Sequence, residues 1–167
     1  MRVLVTYGSK RGGTKELAEW VSEGLRDQGF DVDLEPPRQA KHVNEYDAVI
    51  VGGALYMFHW HKAARRFVKR HMKELRRRPS YFFSSGPLDD SAAKSDIPPV
   101  KGVQTLMDRV GAAGHVTFGG RLTPDAKGFP ASAMAKDHAG DWRERGQVQA
   151  WVDSVAIELR TAVVFAA

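Results

Sequence analysis

RVLVTYGSKRGGTKELAEWVSEGL, residues 2–25, joins a short apolar run to a loop of small, polar and cationic residues and then to a helical pattern. Leu17, Ala18, Val21 and Leu25 recur at three- and four-residue spacing, which predicts a helix that begins where the loop ends. Glycines let a backbone approach an anion closely, and the free N–H groups and dipole of a helix start favour negative charge. The stretch therefore predicts a phosphate site between a buried strand and a helix.

The order of residues in this loop separates several kinds of phosphate site. A Walker-type loop needs a lysine followed by Ser or Thr after its last glycine, whereas here Thr14 precedes Lys15. The dinucleotide pattern G-x-G-x-x-G is absent, because the glycines fall at 8, 12 and 13. Both patterns are therefore disfavoured, and an ordinary glycine-rich turn stays open beside a loop that holds a phosphate.

Composition places the chain among globular proteins of one domain. We expect residues 1–160 to form that domain and Thr161 to Ala167 to form an apolar tail. The chain contains no cysteine, which excludes disulfides and thiolate metal sites. It has no apolar run of about 18 residues and no signal-peptide pattern at its start, so we expect a cytoplasmic protein.

Apolar runs and helical patterns alternate along the chain, which predicts a doubly wound α/β fold with a parallel sheet. The predicted strands are 2–7, 30–34, 48–51, 81–83 and 115–118. The predicted helices are 14–28, 60–77, 101–112 and 143–160. Asp141 and Glu144 have the spacing of a capping box at the start of the last helix.

Three predicted strand ends carry small, flexible residues, at 8–14, 52–57 and 84–89. Ligands of such sheets bind at the carboxyl ends of the strands, where the strand order reverses. The three segments together therefore predict a flat ligand with a phosphate tail.

Two motifs now carry a resemblance to a known family. The loop pattern Tyr7-x-Ser9-x-x-Gly12-x-Thr14-x-x-x-Ala18 resembles the flavodoxin signature, and so does the chain over nearly its whole length. Tyr46-Asp47-x-Val49-x-x-Gly52-x-Ala54-x-Tyr56-x-x-His59-x-His61 is most similar to the menaquinone-dependent protoporphyrinogen dehydrogenase group. The resemblance implies a flavodoxin-like three-layer sandwich, with helices on both faces of a five-stranded parallel sheet in the order 2-1-3-4-5.

The same resemblance implies FMN as the cofactor, bound across the three strand ends. The implied cofactor-binding residues are Ser9, Lys10, Arg11, Gly12, Gly13, Thr14, Gly53, Ala54, Leu55, Tyr56, Ser84, Ser85, Gly86, Pro87 and Leu88. Tyr56 is the first candidate to stack on the flavin ring and Trp60 the second, with packing in the core as the alternative for both. No catalytic side chain is expected, because the flavin carries the chemistry. A metal site is not expected either, because His59 and His61 lack the spacing of helical ligands.

Three functions remain open at this point. The first is an FMN-dependent oxidoreductase that passes electrons from a reduced substrate to a quinone or a similar acceptor. The second is a non-catalytic electron carrier between redox proteins, and the third is a module that has lost its cofactor. The segment from Arg121 to Gly140 is shorter than in the dehydrogenase group, which leaves a porphyrinogen substrate open.

Residues 62–78 concentrate positive charge, with nine Lys or Arg and one acid, Glu74. All but Arg78 fall within an arc of roughly 140° on a helix. Such a face is either an ordinary solvated surface or a contact for an anionic membrane or an acidic partner. Nucleic acid is not expected, because no aromatic side chain interrupts the cationic face.

Overall fold

A computed structural model describes residues 1–166 and the side chains of residues 1–162. The strands are β1 (Arg2–Gly8), β2 (Asp31–Glu35), β3 (Ala48–Tyr56), β4 (His59–Trp60), β5 (Ser80–Ser85), β6 (Gly114–Phe118), β7 (Arg121–Leu122) and β8 (Gly140–Asp141). The helices are α1 (Gly13–Asp27), α2 (Lys62–Arg70), α3 (Met72–Leu75), α4 (Ser91–Lys94), α5 (Lys101–Val110), α6 (Ala131–His138) and α7 (Arg145–Ala166), and Val43–Glu45 forms a 3₁₀ turn.

Five of the strands form a parallel sheet in the order β2-β1-β3-β5-β6, which confirms the predicted strand order. Val5 pairs with Ile50 of β3, and Ile50 pairs in turn with Tyr81 of β5. Two short pairings lie outside this prediction. β4 folds back antiparallel on β3, and β7 pairs antiparallel with β8 in a separate two-stranded sheet.

Alternating side chains of the sheet fill two apolar layers. Val3 and Val5 face α1 and α7, whereas Leu4 and Val49 face α2 and α5. The central strands are buried on both faces, as their continuous apolar runs predict. Helices on both faces of one sheet confirm the predicted three-layer sandwich.

β3 runs five residues beyond its predicted end. The sequence pattern suggests that Gly52 and Gly53 end the strand, but both pair within the sheet. A Cβ at Gly52 would lie 2.1 Å from Cζ of Phe83, and one at Gly53 would lie 2.3 Å from Nε1 of Trp60. These glycines therefore make room for two aromatic rings, and the strand end predicted at 52–57 is a hairpin arm.

The prediction of a single helix over residues 60–77 is wrong. Trp60 belongs to β4, the first helix begins at Lys62, and His71 separates α2 from α3. The His71 backbone (φ −104°, ψ 26°) leaves the helical region, while its buried ring packs 4.8 Å from the ring of Phe67.

The last helix also differs from its prediction. It begins at Arg145 and continues through Ala166, so the tail predicted at 161–167 begins inside a helix and Ala167 lies outside the described residues. Asp141 does not cap the helix, because its carboxylate accepts hydrogen bonds from Arg143 instead. None of the helices within residues 1–166 is long and apolar enough to cross a membrane.

Candidate functional site

A cleft of about 710 Å³ opens at the carboxyl ends of β1, β3 and β5. All three predicted strand-end segments contribute to its lining, through Ser9, Arg11, Gly13, Thr14, Ala54, Leu55, Tyr56, Ser85, Gly86, Pro87 and Leu88. The parallel sheet thus brings together eleven of the fifteen predicted residues. Lys10, Gly12, Gly53 and Ser84 lie outside the lining.

The loop before α1 leaves the start of that helix free to bind an anion. Gly12 adopts a left-handed conformation (φ 83°), and its N–H donates to Ser9 Oγ at 3.0 Å. No side chain caps the first turn of α1 within the described part of the chain. Thr14 is buried in that turn and lines the cleft. The first N–H groups of α1 therefore have no capping side chain in the described part of the chain, and Gly13 and Thr14 at this positive end of the helix line the cleft.

A cluster of two arginines and two carboxylates fastens a distant segment to this loop. Arg143 Nη1 donates to Glu16 Oε2 at 2.7 Å and to the carbonyl oxygen of Gly13 at 3.0 Å. Its Nη2 donates to Asp141 Oδ2 at 2.6 Å. Arg121 also donates to Glu16 Oε2, at 2.8 Å.

The Arg143 side chain is almost fully buried in this cluster, with 2% of its surface exposed. Its hydrogen bond lowers the pKa of Asp141, and the carboxylates raise the pKa of Arg143. Arg143 and Asp141 therefore both stay charged near neutral pH. No pattern in the sequence indicates this cluster, because Arg143 is 127 residues from Glu16.

The second segment presents one aromatic ring to the cleft and hides the other. Trp60 is buried, with 2% exposed, and stacks on Phe82 at 5.2 Å between ring centroids. Its assignment as a ring-stacking candidate is therefore wrong. Tyr56 is half-buried in the cleft wall, with Cζ of Arg11 5.7 Å from its ring centroid.

Two histidines of this segment have local hydrogen bonds. His59 Nδ1 lies 2.8 Å from the carbonyl oxygen of Met57, across the β3–β4 turn. His61 Nδ1 accepts from the N–H of Ala63 at 3.2 Å and so caps α2. Burial and then the charges of Lys62 and other cations lower the pKa of His61, which keeps it an acceptor.

The third segment divides at its first serine. Ser85, Gly86, Pro87 and Leu88 line the cleft, but Ser84 is buried, with its Oγ 2.9 Å from Nε2 of His115. Burial lowers the pKa of His115 to about 4, with Asp96 acting in the opposite direction. The neutral ring can therefore accept a hydrogen bond from the Ser84 hydroxyl group at Nε2.

The cleft has a further wall outside the fifteen predicted cofactor-binding residues. This wall comes from the β3–β4 hairpin, from residues 97–100, from β6 and from the segment after β6. The added lining residues are Met57, Phe58, His59, Ile97, Pro98, Val100, Thr117, Gly120, Arg121, Leu122, Pro130, Ala131 and Met134. Several belong to irregular stretches without apolar periodicity, where a large apolar residue such as Ile97 stands among polar ones.

The cationic residues of 62–78 are divided among α2, α3 and the turn after α3, and do not lie on one helix as predicted. Eight are exposed, namely Lys62, Arg65, Arg66, Lys69, Arg70, Lys73, Arg76 and Arg77. None of the eight has an ion pair among the described residues. Arg78 differs, because it donates to the carbonyl oxygens of Val43, Tyr46 and Glu74. We call the eight exposed cations the basic face.

Comparison with known proteins gives two kinds of likeness in sequence. A family model described as a flavodoxin domain matches residues 4–129. The protoporphyrinogen IX dehydrogenase [quinone] of Escherichia coli (strain K12) is 29% identical over 86 residues, which are 50% of this chain and 48% of that protein. The match thus spans about half the length of this curated relative.

Solved structures share the fold at low sequence identity. The chain matches a point mutant of flavodoxin from Pseudomonas aeruginosa with a TM-score of 0.62 at 14% identity, over 96% of this chain and 99% of that one. It matches rubredoxin oxygen:oxidoreductase from Desulfovibrio gigas with a TM-score of 0.64 at 15% identity, over 97% of this chain and 37% of that one.

Arg143→Met should lower the free energy of unfolding by about 2 kcal/mol, measured by urea denaturation. The substitution keeps the apolar length of the side chain but removes the side-chain donor of the Gly13 carbonyl and of the Asp141 carboxylate, which keeps only the backbone N–H of residue 143. Arg145→Met is the matched control, because Arg145 pairs with Glu23 at 3.4 Å with both side chains mostly exposed. Its effect should stay below about 1 kcal/mol, and equal losses in both variants would contradict a special role for Arg143.

His115 should make stability depend on pH. The folded pKa of His115 is about 4, below the ordinary value, so the unfolded chain binds the proton first as the pH falls. This group's contribution is therefore complete above about pH 6.5 and should decrease by about 2 kcal/mol between about pH 7 and pH 5. His115→Asn should make the measured decline shallower by that amount. His138→Asn, at an exposed position, should leave the decline unchanged, and an unchanged decline in His115→Asn would refute the assignment.

Proposed function

Because the chain belongs to the flavodoxin domain family, we propose that its cleft binds FMN. One observation carries the proposal: the uncapped start of α1 opens into the same cleft as the ends of β3 and β5. The donor set fits an anionic tail, since Gly12 turns the backbone with φ 83° and Thr14 adds a hydroxyl. The walls fit a flat ring, because Leu55 and Leu88 face the same space.

In this proposal the residues have separate tasks. Ser9 through Thr14 would hold the phosphate, with Arg11 and Arg121 supplying positive charge beside it. Residues 54–56 and 85–88 would hold the two edges of the ring, and Tyr56 would stack on it. FMN supplies the electron-accepting and electron-donating chemistry, while the protein binds it and limits access of water.

We further propose that the protein is an oxidoreductase that passes electrons from a reduced substrate to a quinone or a similar acceptor. Support comes from the dehydrogenase relative, whose name gives protoporphyrinogen IX and a quinone. A non-catalytic electron carrier between redox proteins is the second candidate, because the match covers only 48% of that relative.

The basic face supports an anionic partner for this activity. Its eight exposed cations, without ion pairs in the described chain, give a strong local positive potential. We propose that this face contacts an acidic protein or the inner face of an anionic membrane. The protein would then be cytoplasmic, or bound peripherally to that membrane.

Thr14→Val and Gly12→Glu should each weaken binding of FMN, measured by quenching of flavin fluorescence. Thr14→Val removes a buried hydroxyl at nearly constant volume, and loss of one hydrogen bond to a charged group predicts about a tenfold or greater increase in Kd. Gly12→Glu adds strain, because Gly12 has φ 83°, and it adds negative charge to the proposed anion site.

Riboflavin provides the ligand control, because it has the same ring without the phosphate. Its affinity should change little in Thr14→Val, and Thr105→Val, an exposed position on α5, should leave both affinities unchanged. Unchanged FMN affinity in both loop variants would refute the phosphate assignment. If the wild-type chain takes up no FMN, the function that remains is a module that has lost its cofactor.

Enzyme and carrier can be separated by transfer of electrons from the FMN-loaded, anaerobically reduced protein. We expect a quinone to reoxidise it much faster than buffer does, followed by its absorbance, and we expect oxidation of protoporphyrinogen IX in the presence of the same quinone. Fast reaction with a protein acceptor and none with either small molecule would support the carrier instead.

A further inference from the structure

Among the described side chains, the three most exposed large apolar ones lie in the lining of the cleft or next to it. Phe129, Phe58 and Met57 are 86%, 83% and 74% exposed, and Met134 is 40% exposed. Met57, Phe58 and Met134 line the cleft, and Phe129 adjoins the lining residue Pro130. We call these four side chains the apolar rim. Exposed apolar side chains gathered in one place on a surface mark an interaction site, whereas scattered ones do not.

The hairpin half of the apolar rim is held in a costly conformation. Met57 and Phe58 form the two-residue turn between β3 and β4 with φ of 47° and 65°. Such turns favour Asn and Gly, because a left-handed backbone is unfavourable for residues with larger side chains. The hydrogen bond of 2.8 Å between His59 Nδ1 and the Met57 carbonyl helps to hold the turn. Large apolar side chains in a strained, uncovered turn point to a function at the turn.

Positive charge accompanies the hairpin half. α2 begins two residues after Trp60, and its first turns carry exposed Lys62, Arg65 and Arg66 without ion pairs among the described residues. On the opposite side, Lys127 and Lys136 are balanced in number by exposed Asp125 and Asp137. The exposed cations at the start of α2 therefore follow Met57 and Phe58 closely in the chain.

We propose that the apolar rim docks the mouth of the cleft on an anionic lipid surface. Projecting aromatic and methionine side chains enter the boundary between headgroups and acyl chains, and adjacent lysines and arginines bind anionic headgroups. The apolar rim consists of separate side chains from the β3–β4 turn, from the segment before α6 and from α6 itself. This arrangement suits insertion into a fluid surface better than pairing with a fixed one. The docking proposal depends on the apolar rim and the nearby cations alone, whereas access of a lipid-soluble quinone to the cleft depends on the proposed function.

The test is co-sedimentation of the full chain with vesicles of phosphatidylcholine, alone or with about one-third phosphatidylglycerol. We expect binding to the mixed vesicles, weaker binding to phosphatidylcholine alone, and partial release by added salt. Met57→Ser combined with Phe58→Ser should lower the partition coefficient at least about tenfold. Arg65→Glu combined with Arg66→Glu should remove the preference for anionic vesicles.

Two controls match these variants. Ile157→Ser removes an apolar side chain that is 63% exposed on α7, and Arg109→Glu reverses an exposed charge on α5. Both should bind vesicles as the wild type does. Circular dichroism of every variant shows whether it is folded. If the double variant of Met57 and Phe58 fails to fold, the single variant Phe58→Ser replaces it.

Two results would overturn the docking: no binding of the wild-type chain to mixed vesicles, which would favour an acidic protein as partner, or equal binding by the folded rim variant. FMN titration of the same samples keeps this test separate from the proposed function. Rim-dependent vesicle binding without FMN binding would refute the proposed function and leave the docking intact. The reverse result would refute only the docking.

Discussion

Parallel pairing of β1, β3 and β5 is the constraint on which the cleft depends. Because these strands run in one direction and pair in register, with Gly8 beside Gly53 and Ala54 beside Ser85, their carboxyl ends lie at one edge. Three segments that are far apart in the sequence therefore meet at this edge of the sheet. The free start of α1 adds a group of backbone donors that favours an anion by itself. Loops at such an edge can vary while the sheet keeps their origins fixed.

Aromatic packing decides the path of the chain beyond the central glycines of β3. The ring of Phe83 fills the space beside Gly52, and the indole of Trp60 fills the space beside Gly53. β3 can therefore continue through the two glycines and pair with β4. The turn that joins these two strands places Met57 and Phe58 beyond the edge of the sheet. The same packing that buries Trp60 thus exposes the turn before it. One local arrangement removes an aromatic ring from the cleft and adds an apolar border to its mouth.

Charge pairing decides how the segment after β6 joins the site. Arg143 bonds to Asp141, to Glu16 and to the Gly13 carbonyl, so a nearly buried cation connects β8 with the first turn of α1. Arg121 shares the Glu16 carboxylate and lies beside the same loop. Glu16 would otherwise place negative charge near a site that favours an anion, and the two arginines offset it. The cluster therefore combines a structural task with an electrostatic one.

Local spacing of apolar, small or charged residues was enough to predict most strands, the three strand-end segments and the concentration of cations over 62–78, whereas the strand order came from the resemblance to flavodoxins. It also indicated Tyr56 as an aromatic residue of the cleft. The burial of Trp60 and Ser84, the hairpin at the end of β3 and the contact of Arg143 with Glu16 depend on how the layers of the fold pack. These features depend on which distant side chain occupies the space beside a glycine or completes the hydrogen bonds of a buried charge. Such pairings leave no periodic trace in the chain, so they appear only once the layers of the fold have packed together.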